Sequence, residues 1–167
     1  MSMQEAIKNF PKQFDYQPEV KNAEKLSQYK WYIVAGMGGS HLAADILKVY
    51  NPKMPLIIHR NYGFPEVSEE ILKESLIIVS SYSGNTEEIL DVYEKAKAKG
   101  LPLAAYSVGG KLLELAEADA IPYITMPNEG IQPRAALGYS LKALLALMGQ
   151  NEALESLKGL SGSLPDL

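Results

Sequence analysis

The sequence predicts an α/β domain: a three-layer, doubly wound sheet of five parallel strands, flavodoxin-like in its arrangement. Two observations carry this. Short apolar runs rich in β-branched residues alternate with stretches whose apolar residues recur at helical spacing. The turns from strand into helix gather glycines and short hydroxyls, GMGGS at 36–40 and SSYSGNTEE at 80–88. Such alternation places crossover helices on both faces, because each helix must bury its apolar stripe against the sheet.

The elements follow in order. Residues 1–28 read as a leading helical segment interrupted by Pro11 and Pro18 and packed outside the sheet unit. WYIVAG at 31–36 is the first strand, and after its glycine-rich turn Ala43, Ile46, Leu47 and Tyr50 mark a helix. PLIIHR at 55–60 and SLIIVS at 75–80 are two more buried strands. Ile89, Leu90, Tyr93 and Ala96 mark a helix of about four turns, which Gly100 and Pro102 stop. LPLAAYS at 101–107, a short helix through KLLELAE at 111–117, and IPYITMP at 121–127 complete the five strands. A last helix is expected from about Pro133 to Met148. The domain is thus placed at 29–150, with 151–167 as a C-terminal helix and tail or a truncated linker.

Composition narrows the function. The 167 residues fit one domain, and 47% hydrophobic against 22% charged residues argues against disorder. The net charge is −4 and no Lys/Arg block is dense enough to follow a nucleic-acid backbone, so no nucleic-acid partner is expected. An anionic ligand would be held by local donors instead, which points to a small molecule. The absence of cysteine excludes disulfides, thiolate metal sites and a cysteine nucleophile. His41 and His59 form no helical pair, and neither a metal site nor a cofactor is expected. No apolar run reaches about 18 residues, so no membrane partner and a cytoplasmic location are expected.

In a sheet of this class ligands sit beyond the carboxyl ends of the strands, where three loops carry unusual chemistry. In the first, Gly38 and Gly39 permit close backbone approach and Ser40 is positioned to cap the next helix. Its glycines match a dinucleotide fingerprint only in part, since position 41 is His and the next strand ends in His59 and Arg60 rather than an acid. In the second, Ser81, Ser83 and Thr86 bring three hydroxyls to a helix N-terminus with free N–H groups, a cradle for phosphate. The alternative is capping alone, with Asn85 as N-cap and Glu88 completing a capping box. In the third, NEGIQPRAALGY at 128–139, Pro133 suits a first helical turn. Arg134 then opposes the helix dipole and asks for an anion. The alternative there is a surface ion pair with Glu129.

With GMGGS, SYSGNTEE and QPRAALGY in this order, the chain resembles the sugar isomerase (SIS) domain over roughly residues 20–150. Within that group, QPRAALGY is similar to the N-terminal half of the bifunctional phosphoglucose/phosphomannose isomerases. The resemblance implies that Ser81, Ser83 and Thr86 grip a substrate phosphate while Gly38, Gly39 and Ser40 line the sugar side. It also implies that Arg134 stabilises an enediolate as a proton moves between C1 and C2. Asp45 matches a family aspartate and reads as structural.

The departures matter too. The family usually has small residues where this chain has His41, Ala43 and Ala44, so His41 either crowds the pocket, donates to the sugar, or sits on the helix surface. His59 reads as structural. Family members are longer, and their second subdomain supplies a glutamate base and a ring-opening histidine. Enediol chemistry requires such a base, and Glu129 is the candidate replacement in this chain.

Three readings follow: an aldose–ketose isomerase acting on glucose 6-phosphate and mannose 6-phosphate, a non-catalytic phosphosugar-binding module, or another one-domain SIS isomerase. The apolar last helix, with Leu141, Leu144, Leu145, Leu147 and Met148, is either buried or covers a partner, and a homodimer is expected.

Overall fold

A computed structural model describes residues 2–163. Five strands, β1 (Trp31–Gly36), β2 (Leu56–His59), β3 (Ser75–Ser80), β4 (Leu103–Ser107) and β5 (Tyr123–Thr125), form one sheet. The sheet is parallel throughout, in the order β2-β1-β3-β4-β5. The expected α/β class and the five strands are therefore present. The strand order reverses between β1 and β3, which opens a crevice between the loops that leave them.

The helices are α1 (Met3–Asn9), α2 (Leu42–Tyr50), α3 (Glu69–Lys73), α4 (Glu87–Ala98), α5 (Gly110–Ala118), α6 (Leu137–Leu147), α7 (Asn151–Ser156) and α8 (Leu160–Ser163). Side chains alternate across each strand and divide the core in two. Val34, Ile78 and Tyr106 meet Ala43 and Leu47 of α2 and Leu144 of α6 on one face. Ile33, Ile77 and Ala105 meet Leu72 of α3, Val92 and Tyr93 of α4, and Leu112 of α5 on the other. Burial on both faces is why these strands read as unbroken apolar runs rather than alternating ones.

The last helix begins later than expected, and of the two readings of its apolar face the buried one holds. Pro133–Ala135 forms a separate 3-10 turn, and the α-helix begins only at Leu137. Its apolar surface is also consumed within the chain: Leu141, Leu144, Leu145 and Leu147 are all buried. Exposed apolar side chains lie elsewhere, on α1 (Met3, Ile7) and along α2 (Ile46, Val49, Tyr50).

The leading residues touch the sheet unit closely. Lys21 pairs with Tyr123 in an antiparallel bridge on the β5 edge, with Lys21 N–H donating to the Tyr123 carbonyl at 2.9 Å. Phe10–Asp15 forms a 3-10 turn from which the Phe14 carbonyl accepts from Lys142 Nζ at 2.6 Å. The tail read as a C-terminal helix or linker is helical at α7 and α8, and residues 164–167 lie outside the described residues.

Lys142 is fully buried, and its burial lowers the pKa from the ordinary 10.5, with Asp15 and Glu155 opposing the shift and Lys158 reinforcing it. The folded protein therefore releases this proton at lower pH than the unfolded chain. The resulting stability is complete above the ordinary lysine value and is lost as pH falls through the lowered one. Urea unfolding of the wild type and Lys142→Met from about pH 7 to about pH 10 checks this. The gap between them should move in favour of the wild type as pH rises, and a pH-independent gap would contradict it.

Candidate functional site

The loops that follow β1, β3 and β5 converge at the carboxyl edge of the sheet. After β1 the chain turns through a 3-10 segment, Gly38–His41, with Gly38 exposed at φ 56. Gly39 lies against the third loop: a Cβ there would stand 2.8 Å from the Arg134 backbone nitrogen. Only glycine lets these two backbones approach so closely.

Ser40 does not cap α2, whose N-terminal flank is His41 with no capping side chain. It is buried and faces the second loop, where its Oγ accepts the Tyr82 N–H at 3.1 Å. Its carbonyl accepts from Ser80 Oγ at 2.9 Å and from Tyr106 Oη at 3.5 Å. Burial pushes the Tyr106 phenol up to about 12, so it stays a donor.

The second loop divides its hydroxyls between scaffold and surface. Ser81 is buried, its Oγ accepts the Gly84 N–H at 3.1 Å, and it shares a hydrogen bond of 2.7 Å with Thr86 Oγ1. Ser83 is exposed, and its Oγ accepts the Asn85 N–H at 3.3 Å. Thr86, not Asn85, flanks α4, and no side chain caps that helix. The expected capping box is absent because both of its members are engaged elsewhere. Asn85 Oδ1 accepts the Lys111 N–H at 3.0 Å and so caps α5 instead, while the neighbouring Tyr62 phenol lowers the Glu88 pKa. Among the described residues, the N–H groups of Ser83, Thr86 and Glu87 have no hydrogen-bond partner. They cluster at the positive end of a 12-residue helix.

In the third loop Arg134 and Glu129 are both exposed and do not pair. Glu129 Oε1 accepts from Tyr139 Oη at 2.7 Å. Burial first, and then this carboxylate, raise the Tyr139 pKa, so the phenol remains the donor. Arg134 has no hydrogen bond or ion pair among the described residues. It borders an apolar cavity of about 240 Å³ shared with Met3, Ile7 and Phe10 of the leading segment.

His41 and Asp45 form a pair, with His41 Nδ1 2.6 Å from Asp45 Oδ2, and Arg60 also donates to Asp45. His59 Nε2 lies 2.9 Å from the Gly63 carbonyl, a local loop contact. Sequence reasoning missed Tyr82, Tyr139 and Ser107. Tyr82 carries the backbone N–H that meets Ser40, and its phenol is buried near Ile131 without a well-formed hydrogen bond. Ser107 Oγ donates to the Tyr82 carbonyl at 3.1 Å and braces the loop from β4. A polar residue closing an apolar strand was the only available signal for it. Among the described residues no group of three or more His, Asp or Glu side chains is arranged to hold a metal, and no helix is long and apolar enough to cross a membrane.

No family model matches the chain. It is 42% identical over 152 residues to the bifunctional phosphoglucose/phosphomannose isomerase of Caldicellulosiruptor bescii, an alignment covering 87% of this chain and 44% of that one. It is 31% identical over 157 residues to the enzyme of the same name from Aquifex aeolicus, covering 91% and 47%. The chain thus spans about half the length of the curated relatives it matches. Among solved structures, the sugar isomerase domain of an RpiR transcription factor from Sphaerobacter thermophilus superposes with a TM-score of 0.54 at 17% identity, covering 96% of this chain and 95% of that one.

The Ser40 hydroxyl joins two loops, so Ser40→Ala leaves the partly buried Tyr82 N–H without its acceptor. The expected cost is about 1–3 kcal/mol in urea unfolding, and an unchanged midpoint would show the bond to be dispensable. Strand order, the sequence of the three loops and the extended sequence identity lead to one conclusion: this chain is a SIS-fold domain homologous to part of the bifunctional phosphoglucose/phosphomannose isomerases.

Proposed function

We propose that the chain binds a sugar phosphate at the β1/β3 crevice and serves the aldose–ketose isomerisation of glucose 6-phosphate and mannose 6-phosphate to fructose 6-phosphate through an enediolate. The observation that carries this reading is the set of N–H groups without a partner among the described residues at the start of α4, those of Ser83, Thr86 and Glu87, beside the hydroxyls of Ser83 and Thr86. A helix N-terminus with free amides favours a phosphate. Ser81 orients the Thr86 hydroxyl from beneath, and Gly38, Gly39 and Ser40 form the neighbouring wall.

Arg134 is the cation without a partner in this cluster, and it suits the negative charge that develops on the enediolate oxygens. Glu129 is the carboxylate in the same loop and the proposed base. For that role the Tyr139 hydroxyl must either release it or remain as a donor that orients it. This engagement of Glu129 is also the observation that favours a second reading, a phosphosugar-binding domain without turnover. The protein is proposed to act in the cytoplasm as a homodimer, with the exposed α2 stripe of Ile46, Val49 and Tyr50 as the face that meets the second copy.

Calorimetric titration with glucose 6-phosphate and fructose 6-phosphate tests the site. Ser83→Ala or Thr86→Val should each weaken binding about tenfold, the usual worth of a hydrogen bond to a charged group. Arg134→Met should leave most of the binding and remove on the order of a hundredfold or more of any turnover. Binding that ignores the α4 variants would sink the phosphate assignment. Tight binding with no turnover by the wild type would select the second reading.

A further inference from the structure

We propose that Gln13, in the leading segment, is the positioning residue that holds the Arg134–Tyr139 loop in its working geometry. The inference rests on the reading of this loop as the part of the site that meets the enediolate. Gln13 is 2% exposed although it is polar and uncharged. All its side-chain hydrogen bonds go to one short stretch of chain more than a hundred residues away. Its Nε2 donates to the Ala135 carbonyl at 2.6 Å, and its Oε1 accepts the N–H groups of Gly138 at 2.9 Å and Tyr139 at 3.4 Å.

Helix α6 has no side-chain cap of its own, since Ala136 stands at its N-terminal flank. Gln13 supplies the missing acceptor from outside and satisfies two of the orphan N–H groups. The fit is close: a Cβ at position 138 would lie 2.7 Å from Gln13 Cβ, so Gly138 is the residue that admits this side chain. The adjoining Phe14 carbonyl is held by Lys142 one turn further along α6.

The two candidate site residues flank this anchor. Arg134 immediately precedes the carbonyl that Gln13 holds, and Tyr139, whose N–H it accepts, carries the phenol bonded to Glu129. Because Arg134 has no partner among the described residues, its placement depends on its backbone. Gln13 therefore fixes the guanidinium's origin and the carboxylate's anchor together. The phosphate loop at Ser81–Thr86 has no hydrogen bond to Gln13, so phosphate binding and enediolate recognition should separate when Gln13 is changed.

The test uses two five-carbon ligands on the full chain. A 5-phosphoaldonate places its carboxylate where the enediolate oxygens form, and the matching alditol 5-phosphate lacks that charge. The wild type should prefer the aldonate. Gln13→Met should cut that preference by on the order of tenfold, as misplacement of a positioned group does, while leaving alditol affinity unchanged. Gln13→Glu keeps the acceptor for Gly138 and Tyr139 but loses the donor to Ala135, and should give an intermediate preference. Thermal unfolding confirms which variants are folded. A preference retained in either folded variant overturns the proposal, and so does failure of both to fold, which would make Gln13 a folding residue only. Binding of neither ligand by the wild type removes the phosphosugar reading itself, and the proposal with it.

Discussion

Ser80 closes β3 and Ser40 lies in the turn that follows the neighbouring β1, and each serves the other's loop. The Ser80 hydroxyl donates to the Ser40 carbonyl, and the Ser40 hydroxyl accepts the N–H of Tyr82 two residues beyond Ser80. Parallel strands bond to one another only along their length, so nothing in the ladder fixes how two emerging loops lie relative to each other. This reciprocal clamp does so at the point where strand order reverses. The position of the α4 N-terminus depends on it, since the chain runs directly from the clamped Tyr82 into the Ser83–Thr86 turn. Gly39 then carries the third loop against the first, and all three loops become one surface.

The fold was readable in the sequence because its signal is local and repeated. Strands buried on both faces appear as WYIVAG and SLIIVS, and the helices between them show their apolar stripes. Strands after proline began later than the apolar runs suggested, as at Leu103 and Tyr123, because Pro102 and Pro122 contribute carbonyls but no N–H to the ladder. Polar roles were less readable. Asn85 and Glu88 have the spacing of a capping box, yet the Asn85 side chain accepts the Lys111 N–H at the start of α5. Ser40 has the position of an N-cap, yet its hydroxyl meets Tyr82. Spacing reports which bonds a residue can make locally and is silent about the competing partner that tertiary structure brings up.

The leading segment shows the same limit in stronger form. The contact between Gln13 and Gly138 spans 125 residues, and no periodicity links them. The sequence placed this segment outside the sheet unit without saying where, and the structure buries Gln13 and Phe14, which bond to α6. The apolar last helix, which read equally as buried or as a face for a partner, is covered by this segment, by α2 and by its own sheet. Among the described residues, exposed apolar side chains include Met3 and Ile7 of α1 and the α2 stripe, where Val49 and Tyr50 are about four-fifths exposed at 82% and 79%.

The amides without partners among the described residues at the start of α4 are proposed to receive the phosphate of a sugar phosphate. Amide chemical shifts recorded during titration with fructose 6-phosphate test it residue by residue. Saturable downfield shifts are expected at Ser83, Thr86 and Glu87, as for amides that gain a charged acceptor. Saturable shifts confined to the apolar cavity beside Met3, Ile7 and Phe10, with the α4 amides unmoved, would contradict it.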